Sequence, residues 1–263
     1  MTYLGVAGWP VAHSRSPAMQ NAALAAAGLD GWRYLRLPLP PDGFAETVRA
    51  LPAAGFRGIN VTIPHKEAAL ALADEATPTA AAVGAANTLT FGPDGTIAAD
   101  NTDVPGLLEA LGVDPAGMTA LVLGAGGAAR AAVYALRSAG AAEVLVWNRT
   151  KPRAERLVAD LGGRVVDAPE AASLVVNCTS VGLSESDETF KSLPIQADTF
   201  GVGSHVADMV YRPGGTHLLA EAKRRGATVA GGLEILVAQG AASFERWTGM
   251  TASREAMRAA VGD

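Results

Sequence analysis

Lys66 combines a residue type and a position that together indicate proton transfer. It follows the apolar segment 60–63 and Pro64, a residue that suits the first position of a helix. A helix N-terminus disfavours a cation, so an amine held there gives up its proton more readily at neutral pH. The sequence therefore predicts an acid or base at Lys66, although an exposed surface lysine would give the same pattern.

Asp103 is the acidic partner that we expect for Lys66. It ends the tetrapeptide Asp-Asn-Thr-Asp at 100–103, ahead of a helix predicted from Pro105. A carboxylate beside the amine would bond both the amine and a substrate hydroxyl. Capping of the following helix would explain Asp103 equally well, and the two roles are compatible.

Two serines and one glutamine predict a binding site for a small polar molecule. Ser14 and Ser16 stand just before Pro17, where the hydroxyls and the amides of a predicted helix would converge on a carboxylate. Ser16 could instead be a simple N-cap. Gln239 lies directly after the apolar run 235–238, and a buried amide needs partners that a polyhydroxylated ligand or a nearby backbone group could supply.

A glycine-rich turn at 124–129 fits the dinucleotide pattern G-x-G-x-x-A. Gly124 would form the tight turn, Gly126 would admit the pyrophosphate, and Ala129 would pack the helix on the strand. Such turns also occur for structural reasons alone. The end of the next strand carries Asn-Arg-Thr at 148–150 and Arg153, where an NAD site would have an acid, so a ribose phosphate and NADP are favoured. Exposed arginines at a helix start are the alternative.

The elements that must carry these residues alternate between strand and helix, which predicts parallel α/β sheets. Strands are expected at 3–8, 32–37 and 58–63, with helices at 17–27, 43–51 and 64–74, followed by a hairpin at 87–98. A second alternating set, a doubly wound Rossmann-type unit, begins with the apolar strand 119–123. We expect a substrate domain at 1–103 plus 233–263, to which a last helix at 233–247 returns, and an NADP-binding domain at 104–232, with a cleft between them.

Composition limits the remaining classes of function. The net charge of -5 argues against a nucleic-acid partner, and no apolar run is long enough for a membrane span. One cysteine excludes an internal disulfide, and the four histidines lack metal-ligand spacing. We therefore expect a cytoplasmic protein without a metal.

Several motifs together resemble one family. His-Ser-Arg-Ser-Pro at 13–17 resembles the H-S-x-S-P signature of shikimate dehydrogenases, and Asn-Val-Thr-Ile-Pro-His-Lys at 60–66 resembles their N-V-T-x-P-x-K motif. Further similar segments lie at 84–88, 100–103, 124–129, 148–150, 177–182, 239 and 247–249. Their order spans almost the whole chain.

The resemblance implies reversible, NADP-dependent reduction of 3-dehydroshikimate to shikimate, in the pathway to chorismate and aromatic amino acids. By position, it implies substrate contacts at Ser14, Ser16, Thr62, Lys66, Asn87, Asp103, Tyr211 and Gln239. The two serines with Tyr211 would bind the carboxylate, and the others the hydroxyls. It implies cofactor contacts at Gly124, Ala125, Gly126, Gly127, Ala128, Asn148, Arg149, Thr150, Arg153, Met209 and Gly232. Lys66 would accept the proton in the oxidative direction, oriented by Asp103.

Some positions depart from the family pattern. Gln20 stands where histidine is common, Cys178 replaces a small alanine, and Glu234 with Ile235 replaces glycine and methionine. Three alternatives stay open: a quinate or quinate/shikimate dehydrogenase, a methylenetetrahydrofolate dehydrogenase, and a non-catalytic sensor of shikimate-like ligands. Each alternative binds a small molecule, and a homodimer is the assembly that we expect.

Overall fold

A computed structural model describes residues 1–168, 170–183, 189–212 and 214–262 of the chain. The chain forms two compact units, Met1–Gly106 with Val237–Gly262, and Leu107–Leu236. It passes from one unit to the other within two helices.

The regular elements alternate along most of the chain. The strands are β1 (Thr2–Gly8), β2 (Trp32–Pro38), β3 (Phe56–Val61), β4 (Glu75–Ala76), β5 (Thr88–Phe91), β6 (Ile97–Asp100), β7 (Thr119–Leu123), β8 (Glu143–Trp147), β9 (Arg164–Val165), β10 (Leu174–Asn177), β11 (His205–Asp208) and β12 (Thr228–Ala230). The α-helices are α1 (Ser16–Ala26), α2 (Phe44–Ala50), α3 (Lys66–Leu72), α4 (Pro78–Val83), α5 (Asp103–Leu111), α6 (Gly127–Ser138), α7 (Lys151–Leu161), α8 (Thr189–Ser192), α9 (His217–Arg224), α10 (Gly232–Thr248) and α11 (Arg254–Val261).

The first unit contains a mixed sheet with the strand order β2-β1-β3-β5-β6-β4. The strand β1 is parallel to both β2 and β3, whereas β5 is antiparallel to both of its neighbours, β3 and β6. One apolar face of this sheet packs against α2 and α3 through residues such as Phe44, Val48 and Ala69. From α10, the Trp247 indole donates to the Leu89 carbonyl at 3.0 Å, which holds this helix against β5.

The second unit contains a parallel sheet with the order β12-β11-β10-β7-β8-β9. Counted from β7, this is the 3-2-1-4-5-6 order of a doubly wound dinucleotide-binding fold, which confirms the predicted fold class. Four of the five β7 residues are buried, as expected for a central parallel strand. The strand order reverses between β7 and β10, so ligand-binding residues are expected after these two strands.

Several expected element boundaries are wrong. The helix that carries Lys66 begins at Lys66 itself and not at Pro64, whose peptide bond with Ile63 is cis. Ser16 is the first residue of α1 and not its N-cap, a position that Arg15 occupies. The helix α10 is not the last helix, because α11 follows it and packs against α1.

Candidate active site

The two residues predicted to move a proton lie together in the first unit. Lys66 starts α3 and Asp103 starts α5, and the Lys66 Nζ to Asp103 Oδ2 distance is 2.5 Å. Their side chains are only 12% and 7% exposed. A charge-assisted bond shielded from bulk water holds the amine in one direction, so the sequence-based pairing of these two residues is confirmed.

Asn87 connects this ion pair to α10. Its Nδ2 donates to Asp103 Oδ1 at 2.9 Å and lies 3.3 Å from Gln239 Oε1. The Oδ1 of Asn87 accepts from the Thr102 backbone amide at 2.8 Å, which fixes the amide orientation. The predicted buried amide of Gln239 thus has a side-chain partner, and four predicted site residues, Lys66, Asn87, Asp103 and Gln239, form one hydrogen-bonded cluster.

A buried hydroxyl that the sequence analysis missed supports this cluster. Ser243 Oγ lies 2.9 Å from Thr88 Oγ1 and 3.0 Å from Thr102 Oγ1, and it accepts from Asn60 Nδ2 at 2.9 Å. It also donates to the Gln239 carbonyl at 3.0 Å. Ser243 could have been found from the sequence, because it lies four residues after Gln239 and residues at that spacing share a helix face.

Ser14 and Ser16 form a second polar group at the start of α1. Both are buried, and the Ser16 amide donates to Ser14 Oγ at 3.3 Å. Within the described ranges, neither hydroxyl proton has an acceptor, and neither serine bonds to Lys66. The buried face of α1 nevertheless faces α10, because Gln20, one turn after Ser16, donates to the Gly240 carbonyl at 2.9 Å.

Thr62 directly follows β3 and is half-buried. Its amide donates to the Ala7 carbonyl at 2.9 Å, and its carbonyl accepts from the His65 amide at 2.9 Å. A Cβ at Gly8 would lie 2.4 Å from the Thr62 methyl group. These contacts fix the Thr62 backbone between β1 and the start of α3.

The glycine turn of the second unit has the geometry that a dinucleotide requires. Gly124, after β7, has a φ of +114°, which only glycine adopts freely, and a Cβ there would lie 3.1 Å from the Cys178 carbonyl group. Gly126 is the N-cap of the 12-residue α6 and is exposed, and a Cβ built on it meets no atom within 4 Å. Open space in front of free helix amides fits a pyrophosphate. The intervening Ala125, with Gly127 and Ala128, completes the turn.

The end of β8 presents cations to solvent. Arg149 and Arg153 are exposed, and in the parts of the chain that the structure describes neither guanidinium has a hydrogen-bond or ion-pair partner. Asn148 Nδ2 donates to the Thr150 carbonyl at 2.9 Å, and Thr150 is the N-cap of α7. Two guanidinium groups without partners among the described residues, beside a helix N-terminus, could bind a phosphate monoester.

The remaining predicted residues lie in the segment after β11 or pack against it. Met209 and Tyr211 are half-buried, and Met209 Sδ lies 3.5 Å from Cys178 Sγ. Gly232 packs tightly here, because a Cβ on it would lie 2.4 Å from the Val210 carbonyl oxygen. Glycine is therefore required at 232 for this close backbone approach.

Asp208 holds this segment in place, and sequence analysis did not identify it. Its fully buried carboxylate accepts from Asn177 Nδ2 at 2.9 Å, the Val210 amide at 3.0 Å and Thr216 Oγ1 at 2.7 Å. Burial raises the pKa of Asp208 to about 6, although these three hydrogen bonds act in the opposite direction. Asp208 and Asn177 lie at the ends of the adjacent strands β11 and β10. Their positions at strand ends were the one feature of the sequence that could have identified Asp208.

Other kinds of site are not seen in the described part of the chain. Among those residues, no group of three or more His, Cys, Asp or Glu side chains is arranged to hold a metal ion. None of the helices there is both long and apolar enough to cross a membrane.

Comparison with known proteins gives consistent matches over most of the chain. Residues 6–89 match the shikimate dehydrogenase substrate binding domain, residues 109–186 the shikimate / quinate 5-dehydrogenase family, and residues 232–261 the shikimate 5'-dehydrogenase C-terminal domain. A shikimate dehydrogenase (NADP(+)) of Methylobacterium radiotolerans is 48% identical over 260 residues, covering 93% of this chain and 90% of that protein.

Solved structures give the same result. Shikimate 5-dehydrogenase from Thermus thermophilus, in complex with NADP(H) and shikimate, is 43% identical with a TM-score of 0.88, covering 99% of this chain and 98% of its own. Shikimate dehydrogenase from Aquifex aeolicus is 37% identical with a TM-score of 0.92, covering 100% and 98%.

Proposed function

The chain belongs to the shikimate dehydrogenase family, and we propose that it catalyses the reversible, NADP-dependent reduction of 3-dehydroshikimate to shikimate. This reaction is a step toward chorismate and the aromatic amino acids. The observation that carries the proposal is the Lys66–Asp103 pair, which is bonded to Asn87 and through it to Gln239. These groups suit a substrate with several hydroxyls.

Lys66 and Asp103 carry the proton transfer in this proposal. In the reductive direction the Lys66 ammonium donates a proton to the carbonyl oxygen as that oxygen gains negative charge. Its positive charge also stabilises the oxygen in the transition state. In the oxidative direction the amine accepts the proton. Asp103 orients the amine through Oδ2, while its Oδ1 is held by Asn87.

Two groups of polar residues in the first unit hold the substrate in this proposal: the two serines at the start of α1, and the hydrogen-bonded cluster around Lys66. The hydroxyl protons of Ser14 and Ser16 lack acceptors among the described residues, so both are available to the carboxylate. Asn87, Gln239 and Thr62 bond the ring hydroxyls. Tyr211 is the further carboxylate contact implied by the family motif, and its role rests on that resemblance.

NADPH, when bound, supplies the hydride. The glycine turn at 124–128 would bond the pyrophosphate through backbone amides, with Gly126 leaving room for it. Arg149 and Arg153, with Asn148 and Thr150, would hold the ribose phosphate, and Met209 and Gly232 would line the nicotinamide end. Residues 1–103 plus 233–263 form the substrate domain and 104–232 the cofactor domain in this proposal. A cytoplasmic location and a homodimer stay predictions.

A comparison of two substrates and two cofactors tests the proposal. The absorbance of the reduced nicotinamide is followed with shikimate or quinate, each paired with NADP or NAD, and kcat/KM is compared. The highest value is expected for shikimate with NADP. Efficient turnover of quinate or NAD would favour the quinate/shikimate dehydrogenase. No turnover of any pair, with shikimate still bound in calorimetry, would favour a sensor.

A further inference from the structure

Arg36 contacts the segment that carries the two serines. It lies in β2, and its Nε and Nη2 both donate to the Ser14 carbonyl oxygen, at 3.1 and 2.8 Å. The two residues are 22 positions apart in the chain. The guanidinium is exposed, and over the described ranges it has no carboxylate partner, so its charge is not neutralised.

This contact completes the fixation of Ser14. The Ser14 amide donates to the Val11 carbonyl at 3.0 Å, and its Oγ accepts from the Ser16 amide at 3.3 Å. With the carbonyl held by Arg36, each backbone polar group of Ser14 is bonded. The hydroxyl proton is left with rotation about one bond, and it has no acceptor in the described structure. A donor fixed in this way loses little entropy when it binds a ligand.

We propose that Arg36 is a positioning residue for recognition of the substrate carboxylate, acting through Ser14 and through its own charge. The inference rests on the proposed function, in which Ser14 bonds that carboxylate. The serine hydroxyls are neutral and cannot by themselves offset the loss of water around an anion. The Arg36 guanidinium is bonded to the Ser14 carbonyl, so it lies within the screening length of physiological salt from a carboxylate at Ser14. Its positive charge therefore favours binding of that anion.

Three variants test this inference. Arg36→Met removes the hydrogen bonds and the charge, Arg36→Lys keeps the charge, and Arg33→Met is the matched control. Arg33 is also an exposed arginine of β2, but it bonds the carbonyls of Asp30 and Trp32. Arg36→Met is expected to raise the KM and the calorimetric Kd for shikimate about fivefold, the effect of losing one typical net hydrogen bond. Arg36→Lys is expected to raise them less, and Arg33→Met not at all.

Comparing the effects of Arg36→Met on different ligands distinguishes a positioning role from a general loss of folded structure. The kcat and the KM for NADP are expected to stay unchanged in Arg36→Met. Binding of shikimate methyl ester, which lacks the negative charge, is expected to weaken less than binding of shikimate.

An unchanged Kd for shikimate in Arg36→Met would overturn the role of Arg36. Equal losses of affinity for shikimate, its methyl ester and NADP would do the same. Neither result affects the proposed function as long as the wild-type protein turns over shikimate. Wild-type protein that neither binds nor oxidises shikimate would refute the proposed function itself. Should Arg36→Met fail to fold, the comparison of Arg36→Lys with wild type decides between the same outcomes, because Arg36→Lys keeps the charge but loses the two-pronged bond.

Discussion

Asp208 is expected to make the stability of the second unit depend on pH in a direction unusual for a carboxylate. Burial raises its pKa from 3.8 to about 6 in the folded chain. Between about pH 4 and 6 the group is therefore neutral when folded and ionised when unfolded, so the folded state binds more protons. The unfolding free energy that depends on Asp208 falls as pH rises through this window and is constant outside it.

The magnitude follows from the same two values. A tenfold change in proton affinity is worth about 1.4 kcal/mol, so the rise from 3.8 to about 6 corresponds to about 3 kcal/mol. Asp208→Asn cannot titrate. The unfolding free energy of wild type minus that of Asp208→Asn is therefore expected to fall by about 2.4 kcal/mol between pH 4 and pH 7, with the rest of the change below pH 4, whatever the cost of the substitution itself.

Urea unfolding of both proteins from pH 4 to 7.5 measures this difference. The NMR shift of the Val210 amide, which donates to Asp208 Oδ1 at 3.0 Å, reports the titration directly and is expected to have a midpoint near 6. Asp94→Asn is a control that is expected to show almost no slope over this range, because a hydrogen bond from the Thr96 side chain lowers the pKa of Asp94 and its titration therefore lies below pH 4. A pH-independent difference for Asp208→Asn, or a Val210 midpoint near 4, would refute the argument.

Three further substitutions test the site and the packing. Lys66→Ala is expected to lower kcat by about 10²–10⁴-fold without changing NADP binding by fluorescence titration, and near-normal turnover would exclude Lys66 as the proton carrier. Arg149→Ala is expected to weaken NADP about tenfold and NAD hardly at all, whereas equal effects would remove the basis for the phosphate contact. Gly58→Ala would put a Cβ 2.2 Å from the Trp247 indole nitrogen, so urea unfolding should show a loss of about 2–4 kcal/mol. Gly31→Ala, with open space at its Cβ, should show no comparable loss.

Local patterns predicted the parts of the fold that depend on neighbours in sequence. The apolar strand β7, the glycine turn after it and the hairpin β5-β6 all have short-range signals, and each lies where expected. The helix begins at Lys66, two residues after the predicted start at Pro64, because residues 62–65 form a turn in which the His65 amide donates to the Thr62 carbonyl at 2.9 Å. The helix α11 was missed although Ser253 caps it through Ala256 N at 3.3 Å.

Long-range contacts explain what sequence analysis could not find. Arg36 has the pattern of an ordinary exposed strand residue, and only the approach of β2 to residue 14 gives it a partner. Asp208 is an acid at the end of an apolar strand, and one of its three donors, Asn177, lies 31 positions earlier in the chain. Lys66 and Asp103 were paired correctly because each is a charged residue beside a predicted helix start, whereas Ser243 lies within a helix and outside every recognised motif.

The division of the chain into units also allows the second unit to fold before the first is complete during synthesis. Leu107–Leu236 is one uninterrupted stretch, whereas the first unit combines residues made before it with residues made after it. When Met1–Gly106 leaves the ribosome, Asn60, Asn87 and Leu89 still lack their partners on α10. The second unit can therefore close its sheet first, since domains fold as their residues become available. The polar cluster of the segment that is translated first is thus completed last, by Gln239 and Ser243 of α10.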